Sequence, residues 1–212
     1  MTRLILLRHG QSEANLKTWF AGHSDPHLTE LGLEQAQHAA DYLAANEHID
    51  LILASDLYRA TETALPTARL LGLPVHPTPG FREIYAGVWE GMRFSDLIAA
   101  YPDGMKTWIH DLANARPAEG ESVAELFVRV TAALDRVARE NDGKTVLIAT
   151  HWTPIRAMIC HAMRQDHTHI SDYPKPFNAS IHILGYDKGT YTIEQMNVVE
   201  HLNGLLPKSI TE

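Results

Sequence analysis

Three short apolar runs, each followed by a predicted helix, constrain the fold of this chain most strongly. They cover residues 3–7, 49–54 and 145–149. Apolar runs of this length are typical of strands that are buried on both faces of a sheet. Strands that alternate with helices form mostly parallel sheets, because each crossover lays a helix over one face. The sequence therefore predicts a three-layer α/β/α fold with a mostly parallel central sheet.

Helix and turn signals between these runs agree with that architecture. The predicted helices run from the N-cap Thr29 to about 45, from Ser55 to about 71, from the Ser122/Glu125 capping box to about 140, and from Thr153 to about 163. Two alternating segments, 180–186 and 190–198, flank Asp187-Lys188-Gly189 and predict a hairpin. This hairpin would supply an antiparallel edge to the sheet.

Composition limits the organisation and the partners of the chain. With 212 residues, 45% of them hydrophobic, and no repeat or linker, we expect one domain over 1–212. The net charge of −8 argues against a nucleic-acid or anionic-membrane partner. No apolar stretch is long enough for a membrane span, and the single Cys160 cannot form an internal disulfide. A cytoplasmic location is expected, and the sequence carries no signal for an oligomeric state.

Thirteen histidines invite a metal-site or pH-sensor hypothesis, but their positions divide them. His9 and His151 directly follow the first and third apolar runs, Arg8 precedes His9, and Arg59 lies early in the helix after the second run. The carboxyl ends of parallel strands share one edge, so these four side chains should meet there. Two imidazoles and two guanidinium groups predict an oxyanion pocket. The other eleven histidines lack this setting, and packing roles are expected for them.

These positions fall within an ordered set of motifs, through which the chain resembles the histidine phosphatase superfamily, also called phosphoglycerate mutase-like. The matching segments are 6–15 (LLRHGQSEAN), 25–32 (DPHLTELG), 55–64 (SDLYRATETA), 82–84 with 89–91, 119–122 and 150–151. They follow the family's order between residue 4 and about 156. A lone R-H-G would be weak, whereas the ordered set is specific.

The resemblance implies roles for the residues of the predicted pocket. His9 would be the nucleophile that forms a phosphohistidine, Glu83 would protonate the leaving oxygen, and Arg8, Arg59 and His151 would stabilise the phosphoryl charge. Asn15 and Gln11 are implied as substrate-binding residues, and Ser180 is a further candidate in the polar segment 178–180. No metal or other cofactor is expected, because cationic side chains take its place. The expected partner is a small phosphorylated substrate.

Two departures concern the substrate. Trp152 follows His151 where the family usually has a small residue, and its indole could either contact substrate in the pocket or pack outward against the sheet. The family places a cap insertion at about 84–122, which here is rich in aromatic residues and methionine. This composition favours organic phosphate monoesters with an apolar part, unless these residues pack onto the main domain.

Three functions remain open at this point. The first is a metal-independent phosphomonoester hydrolase, the second a 2,3-bisphosphoglycerate-dependent phosphoglycerate mutase, and the third a noncatalytic sensor of phosphorylated ligands. Mutases of the family are typically longer and carry an aromatic residue before the signature asparagine, where this chain has Ala14. A sensor would not need His9 or Glu83. We therefore predict the hydrolase.

Overall fold

A central sheet of six strands organises the computed structural model, which describes residues 1–206. The strands are β1 (Thr2–Arg8), β2 (Leu51–Ala54), β3 (Val75–Pro77), β4 (Thr145–Thr150), β5 (Ile181–Asp187) and β6 (Thr190–Val198). Their order is β3-β2-β4-β1-β5-β6. The first four strands in this order pair in parallel, and β5 and β6 form the antiparallel edge. The predicted α/β class is confirmed.

Helices cover both faces of this sheet. They are α1 (Glu13–Lys17), α2 (Glu30–Asn46), α3 (Tyr58–Leu71), α4 (Phe94–Ala100), α5 (Pro102–His110), α6 (Val123–Glu140) and α7 (Trp152–Ala162). Within β1, Leu4 and Leu6 join one apolar core with residues of α6 and α7, whereas Ile5 and Leu7 join a second core with residues of α2 and α3. Each apolar run is continuous because alternate side chains enter different cores.

Helix boundaries mostly follow the predicted caps, with two corrections. Thr29 accepts from the N–H of Gly32, and Ser122 and Glu125 form the predicted capping box. Ser55 does not cap α3, which begins at Tyr58 after the N-cap Leu57. Likewise α7 begins at Trp152, with His151 rather than Thr153 as its N-cap. Both corrections arise because Ser55 and His151 face each other across the sheet edge.

Two short elements, β3 and α1, were not predicted from the sequence. The edge strand β3 and the five-residue helix α1 are too short to show a clear period. The second apolar run also forms a shorter strand than predicted, Leu51–Ala54 instead of 49–54. The hairpin of β5 and β6 matches its predicted segments closely.

Residues 84–122, here called the insertion, precede α6 in the chain and contain α4 and α5. Several of its apolar side chains, including Trp89, Leu97 and Met105, are fully buried in the core that α6 and α7 share. Others, such as Phe94 and Trp108, line cavities. Both alternatives raised for the insertion therefore hold, each for a different subset of residues. In the part of the chain from 1 to 206, none of the helices has the length and apolar character needed to cross a membrane.

Candidate active site

His9 lies directly after β1, at the carboxyl edge of the parallel strands. Its N–H donates to the carbonyl of Thr150 at 2.9 Å, and its own carbonyl accepts from the Asn178 side chain at 3.1 Å. The side chain is 4% exposed and lines a cavity of about 300 Å³. His9 Nδ1 lies 2.8 Å from the carbonyl of Gly10. A carbonyl can only accept, so Nδ1 carries the proton and Nε2 keeps the lone pair.

Gly10 allows this arrangement because the chain passes very close to α2. A Cβ atom at residue 10 would lie 2.4 Å from the carbonyl oxygen of Gly32. The N–H of Gly10 donates to Thr63 Oγ1 at 3.0 Å, which ties the same turn to α3. The glycine of the R-H-G motif is therefore required by packing.

The surroundings of His9 keep its imidazole neutral. Burial holds the pKa of His9 well below its ordinary value, and the neighbouring guanidinium groups of Arg59 and Arg8 lower it further. The bond to Gly10 acts in the opposite direction but does not outweigh them. At neutral pH the Nε2 atom is thus an unprotonated nitrogen in a cationic cavity.

Arg59 projects from the first turn of α3 and is 1% exposed. Its guanidinium donates to the carbonyls of Ala21, Gly22 and Ser24, at 3.3, 2.8 and 2.9 Å. These acceptors are neutral, and the carboxylates of Glu83, Asp25 and Glu90 act on the guanidinium only through space. Burial lowers the pKa of Arg59, which nevertheless remains a cation at neutral pH.

Glu90 fixes the loop that holds Arg59. Its Oε1 accepts from the N–H groups of His23 and Ala86, at 2.7 and 3.0 Å, and its Oε2 accepts from those of Gly22 and Ser24, both at 3.0 Å. Burial raises the pKa of Glu90, but hydrogen bonds, first that from the Ser24 side chain, bring it below its ordinary value. The motif W-E-G at 89–91 is the one sequence signal for this loop.

Arg8 lines the same cavity, whereas His151 lies against His9 without lining it. Arg8 Nη1 donates to the carbonyl of Pro176 at 2.7 Å, and burial lowers the pKa of Arg8 to about 10. The ring of His151 is fully buried, with its centroid 5.2 Å from that of His9. Burial, followed by the charge of Arg59, holds the pKa of His151 well below its ordinary value. His151 Nε2 lies 2.7 Å from Ser55 Oγ.

Glu83 lines the same cavity and is 8% exposed. Its Oε1 accepts from the N–H of Ile84 at 2.8 Å, and its Oε2 lies 3.3 Å from the N–H of Thr153 in the first turn of α7. His23 Nε2 lies 3.0 Å from the Glu83 carbonyl, which places His23 beside the site. His23 does not follow an apolar run, so only a packing role is predicted for it from the sequence.

The three polar candidates Asn15, Gln11 and Ser180 differ in their positions. Asn15 lines the cavity, and its Oδ1 accepts from the Ser12 N–H at 3.0 Å and the Asn178 amide at 3.1 Å, which leaves Asn15 Nδ2 to donate to a ligand. Gln11 does not line it, since its Oε1 accepts from the hydroxyl of Thr29 at 2.9 Å. Ser180 is fully buried with its Oγ 3.3 Å from His182 Nε2, so it too lies outside the cavity wall.

In the segment that contains Ser180, the amide of Asn178 donates to the His9 carbonyl and to Asn15 Oδ1, both at 3.1 Å. No local pattern distinguishes the polar residues of this segment. Of the two environments considered for Trp152, the structure shows the first: its indole lines the cavity.

A second cavity of about 720 Å³ adjoins the first and shares part of its wall, including Trp19, Phe94, Trp108 and Trp152. We call it the annex and define it by these four aromatic residues together with Ile98 and Ile109. Trp108 and Trp152 have ring centroids 6.4 Å apart at an angle of 34°. The site therefore combines a small cationic cavity with a larger aromatic one.

A metal centre finds no support in the arrangement of the described histidines. Within residues 1–206, no group of three or more His, Cys, Asp or Glu side chains could hold a metal ion. The histidines that line or back the cavity are instead adjacent to arginines.

Comparisons with known proteins agree with this geometry. A family model described as the histidine phosphatase superfamily (branch 1) matches residues 4–199. Phosphoserine phosphatase 1 of Hydrogenobacter thermophilus is 32% identical over 202 residues, which cover 95% of each chain. Adenosylcobalamin/alpha-ribazole phosphatase of Escherichia coli is 32% identical over 149 residues, 70% of this chain and 73% of that protein.

Solved structures superpose over nearly the whole chain. Bacillus stearothermophilus YhfR aligns with a TM-score of 0.90 at 27% identity, over 95% of this chain and all of its own. The mycobacterial glucosyl-3-phosphoglycerate phosphatase Rv2419c, in a structure with VO3, aligns with a TM-score of 0.84 at 29% identity, over 93% of this chain and 99% of its own.

Proposed function

The chain belongs to the histidine phosphatase superfamily and is a phosphatase, and we propose that it hydrolyses small phosphate monoesters without a metal ion, through a phosphohistidine on His9. The observation that carries this proposal is the state of His9. Its Nδ1 proton is fixed by the Gly10 carbonyl, so the neutral Nε2 remains as a nucleophile in a cavity lined by Arg8, Arg59 and Glu83.

In the first step, His9 Nε2 attacks phosphorus opposite the ester oxygen. The nitrogen–phosphorus bond forms as the phosphorus–oxygen bond breaks, and protonated Glu83 gives its proton to the departing alkoxide. Arg8 and Arg59 neutralise charge on the three remaining phosphoryl oxygens, and His151 and Asn15 donate to them. These donors are preorganised by the bonds described above, so little reorganisation accompanies the reaction.

In the second step, water attacks the phosphohistidine. Glu83, now a carboxylate, accepts a proton from the water as the nitrogen–phosphorus bond breaks, and inorganic phosphate forms. The proton removed from water restores the acid for the next cycle. The electron pair returns to His9 Nε2, which regains its starting tautomer.

Relatives support small organic phosphates as the substrate class. Their names describe phosphoserine phosphatases and alpha-ribazole phosphatases, and one neighbouring structure, the phosphoserine phosphatase of Entamoeba histolytica, holds 3-phosphoglyceric acid. We propose a monoester of this size range for the present chain. A cytoplasmic location, as expected from the single cysteine, belongs to the same proposal.

Hydrolysis of p-nitrophenyl phosphate in excess chelator tests the proposal. His9→Ala should lose about a thousandfold or more in kcat, because the nucleophile is removed. Glu83→Gln should lose about a hundredfold with an alkyl phosphate such as phosphoserine, because the leaving oxygen goes unprotonated, and less with p-nitrophenyl phosphate, whose phenolate leaves without a proton. A matched control is Arg136→Gln, which changes an exposed arginine of α6 and should keep native turnover.

Alkaline quenching during turnover of a radiolabelled substrate should trap label on the native protein and not on His9→Ala, since phosphohistidine survives in base. Full activity of His9→Ala, or restoration of chelated enzyme only by added metal, would overturn the mechanism. Isomerisation of 3-phosphoglycerate with 2,3-bisphosphoglycerate, faster than release of phosphate, would make the chain a mutase. Phosphate binding without any turnover would make it a sensor.

A further inference from the structure

Only two arginines among residues 1–206 are fully removed from solvent, Arg59 at 1% exposed and Arg156 at 5%. Arg59 lines the cavity of about 300 Å³ that contains His9, here called the phosphate cavity. Arg156 lies in α7 and lines the annex but not the phosphate cavity. The proposed reaction on His9 therefore does not explain why a second guanidinium is buried.

Arg156 has neutral partners in the part of the chain that the structure describes. Its Nη2 donates to the carbonyl of Tyr173 at 3.2 Å, and its guanidinium carbon lies 4.7 Å from the centroid of the Trp152 ring. The Nε atom is buried without a hydrogen-bond partner. Other partly buried arginines differ, since Arg82 pairs with Asp56 and Arg129 with Glu121.

Burying a guanidinium without a counter-ion is costly, and a cation–π contact offsets only part of that cost. Arg59 is also held by neutral carbonyl groups, although the carboxylate of Glu83 acts on it through space. Burial lowers the pKa of Arg156 to about 10, so the group remains charged at neutral pH. A buried cation with neutral partners at the wall of a cavity is a site for an anionic group of a ligand.

We propose that Arg156 binds a second anionic group of the substrate, and that the annex holds the apolar or aromatic body that joins this group to the phosphate. The inference rests on the proposed function, because it names the substrate class of the same site. The substrate is a phosphate monoester of a bulky, flat alcohol that carries a carboxylate remote from the phosphorus. Trp108 and Trp152 line the annex and offer apolar rings to such a body, and the charge of Arg156 at the same wall is complementary to a carboxylate.

The geometry favours this class over smaller esters. An aliphatic monoester of a few carbon atoms fits within the cavity of about 300 Å³ and leaves the annex of about 720 Å³ empty. A rigid aromatic body fills the annex and brings its far end to Arg156. Because Trp152 lines both cavities, it positions the body and Arg156 together.

A pair of nonhydrolysable probes tests the inference by binding alone. One is a naphthylmethyl phosphonate, and the other is the same compound with a carboxylate on the distal ring. Calorimetry on the native protein should give about tenfold or more tighter binding of the carboxylated probe, as for a buried charge-assisted hydrogen bond. Arg156→Gln should bring the ratio of the two dissociation constants to about one. Arg136→Gln, on the exposed face of α6, should keep the native ratio.

Arg156→Lys keeps the charge and is the variant to test if Arg156→Gln does not fold. It should retain part of the preference, because an ammonium cannot form the bidentate fork. Stabilisation against heat by inorganic phosphate, which fills only the first cavity, reports whether each variant is folded. Equal binding of the two probes by the native protein, or an undiminished preference in both variants, would overturn the inference. Failure of the proposed function is distinguishable from this. In that case the matching naphthyl phosphates bind with the same preference but are not hydrolysed.

Discussion

Ser55 Oγ lies 2.7 Å from His151 Nε2, whereas His151 Nδ1 has no hydrogen-bond partner among the described residues. The same hydroxyl oxygen accepts from the N–H of Leu57 at 3.4 Å, so its proton is available to His151 Nε2. In that state His151 carries its proton on Nδ1, the nitrogen left to donate to a phosphoryl oxygen. We therefore expect Ser55 to act on the proposed reaction through His151, as a positioning residue.

We expect Ser55→Ala to lower kcat about tenfold, because one buried hydrogen bond and the preferred tautomer of His151 are lost. KM should change less, since the arginines still bind phosphate. Long-range nitrogen NMR of labelled histidine should show His151 as a mixture of tautomers in the variant. The exposed Ser95→Ala is the control. An unchanged tautomer together with a reduced kcat would assign Ser55 a different role.

His9 should remain neutral under mildly acidic conditions. An ordinary histidine with a pKa of about 6.5 is about three-quarters protonated at pH 6. The pKa of His9 is held well below that value, first by burial and then by Arg59 and Arg8. In the ligand-free protein we expect its NMR signals to report the Nδ1–H tautomer unchanged from pH 8 to pH 6. Half-protonation near pH 6.5 would contradict this electrostatic account.

Glu90→Gln should destabilise the loop that holds Arg59. An amide nitrogen cannot accept, so two of the four N–H donors that Glu90 satisfies would lose their partner. We expect a loss of about 2 kcal/mol in the free energy of unfolding and a fall in Tm of about 4–8 °C. Activity should fall with it, because Arg59 loses its anchors. Glu13→Gln, on the exposed face of α1, should leave Tm unchanged within error.

We expect the burial of His182 to lower the free energy of unfolding in acid. It is fully buried in β5, where Nδ1 accepts from the N–H of Asn197 at 3.1 Å and Nε2 faces Ser180 Oγ. Protonation would set two donors against each other, and burial lowers the pKa of His182 to about 4. The unfolded chain binds this proton near pH 6.5, so the folded state loses stability as the pH falls from there towards 4.

The contribution of His182 should amount to about 2 kcal/mol between pH 7 and pH 5. His182→Gln preserves an acceptor and a donor without a titratable group. Urea unfolding at both pH values should therefore show a smaller acid loss in this variant than in the native protein, by about that amount. Parallel losses in the two proteins would place the acid sensitivity elsewhere, for example in His9 and His151, whose pKa values are also lowered.

Apolar runs and capping residues predicted the sheet and the long helices, because buried strands and helix ends have local causes. Positions at strand ends were enough to bring Arg8, His9 and Arg59 to one edge of the sheet. Gln11 lies outside the cavity wall because its orientation depends on Thr29, 18 residues away, and Ser180 because the fold turns its hydroxyl towards His182. The pairing of Ser55 with His151 has the same cause, since 96 residues separate them.

The environment of Trp152 could not be predicted for a further reason. Its position at the start of α7 is local, but the surface beneath it is built by Trp108 of the insertion and by Trp19. Two packing environments of Trp152 were compatible with the sequence, and the tertiary structure was needed to distinguish them. Arg156 became informative in the same way, through the absence of a carboxylate near it among the described residues.

The carbonyl cage around Arg59 also affects the folding equilibrium. A cation that is held by neutral carbonyl groups is costly to bury, and a phosphoryl group that enters binds only the folded form, where this cation is fixed in place. By mass action, phosphate above its dissociation constant then shifts the balance towards the folded chain. The abundance of this protein in a cell would thereby depend on the supply of its own product.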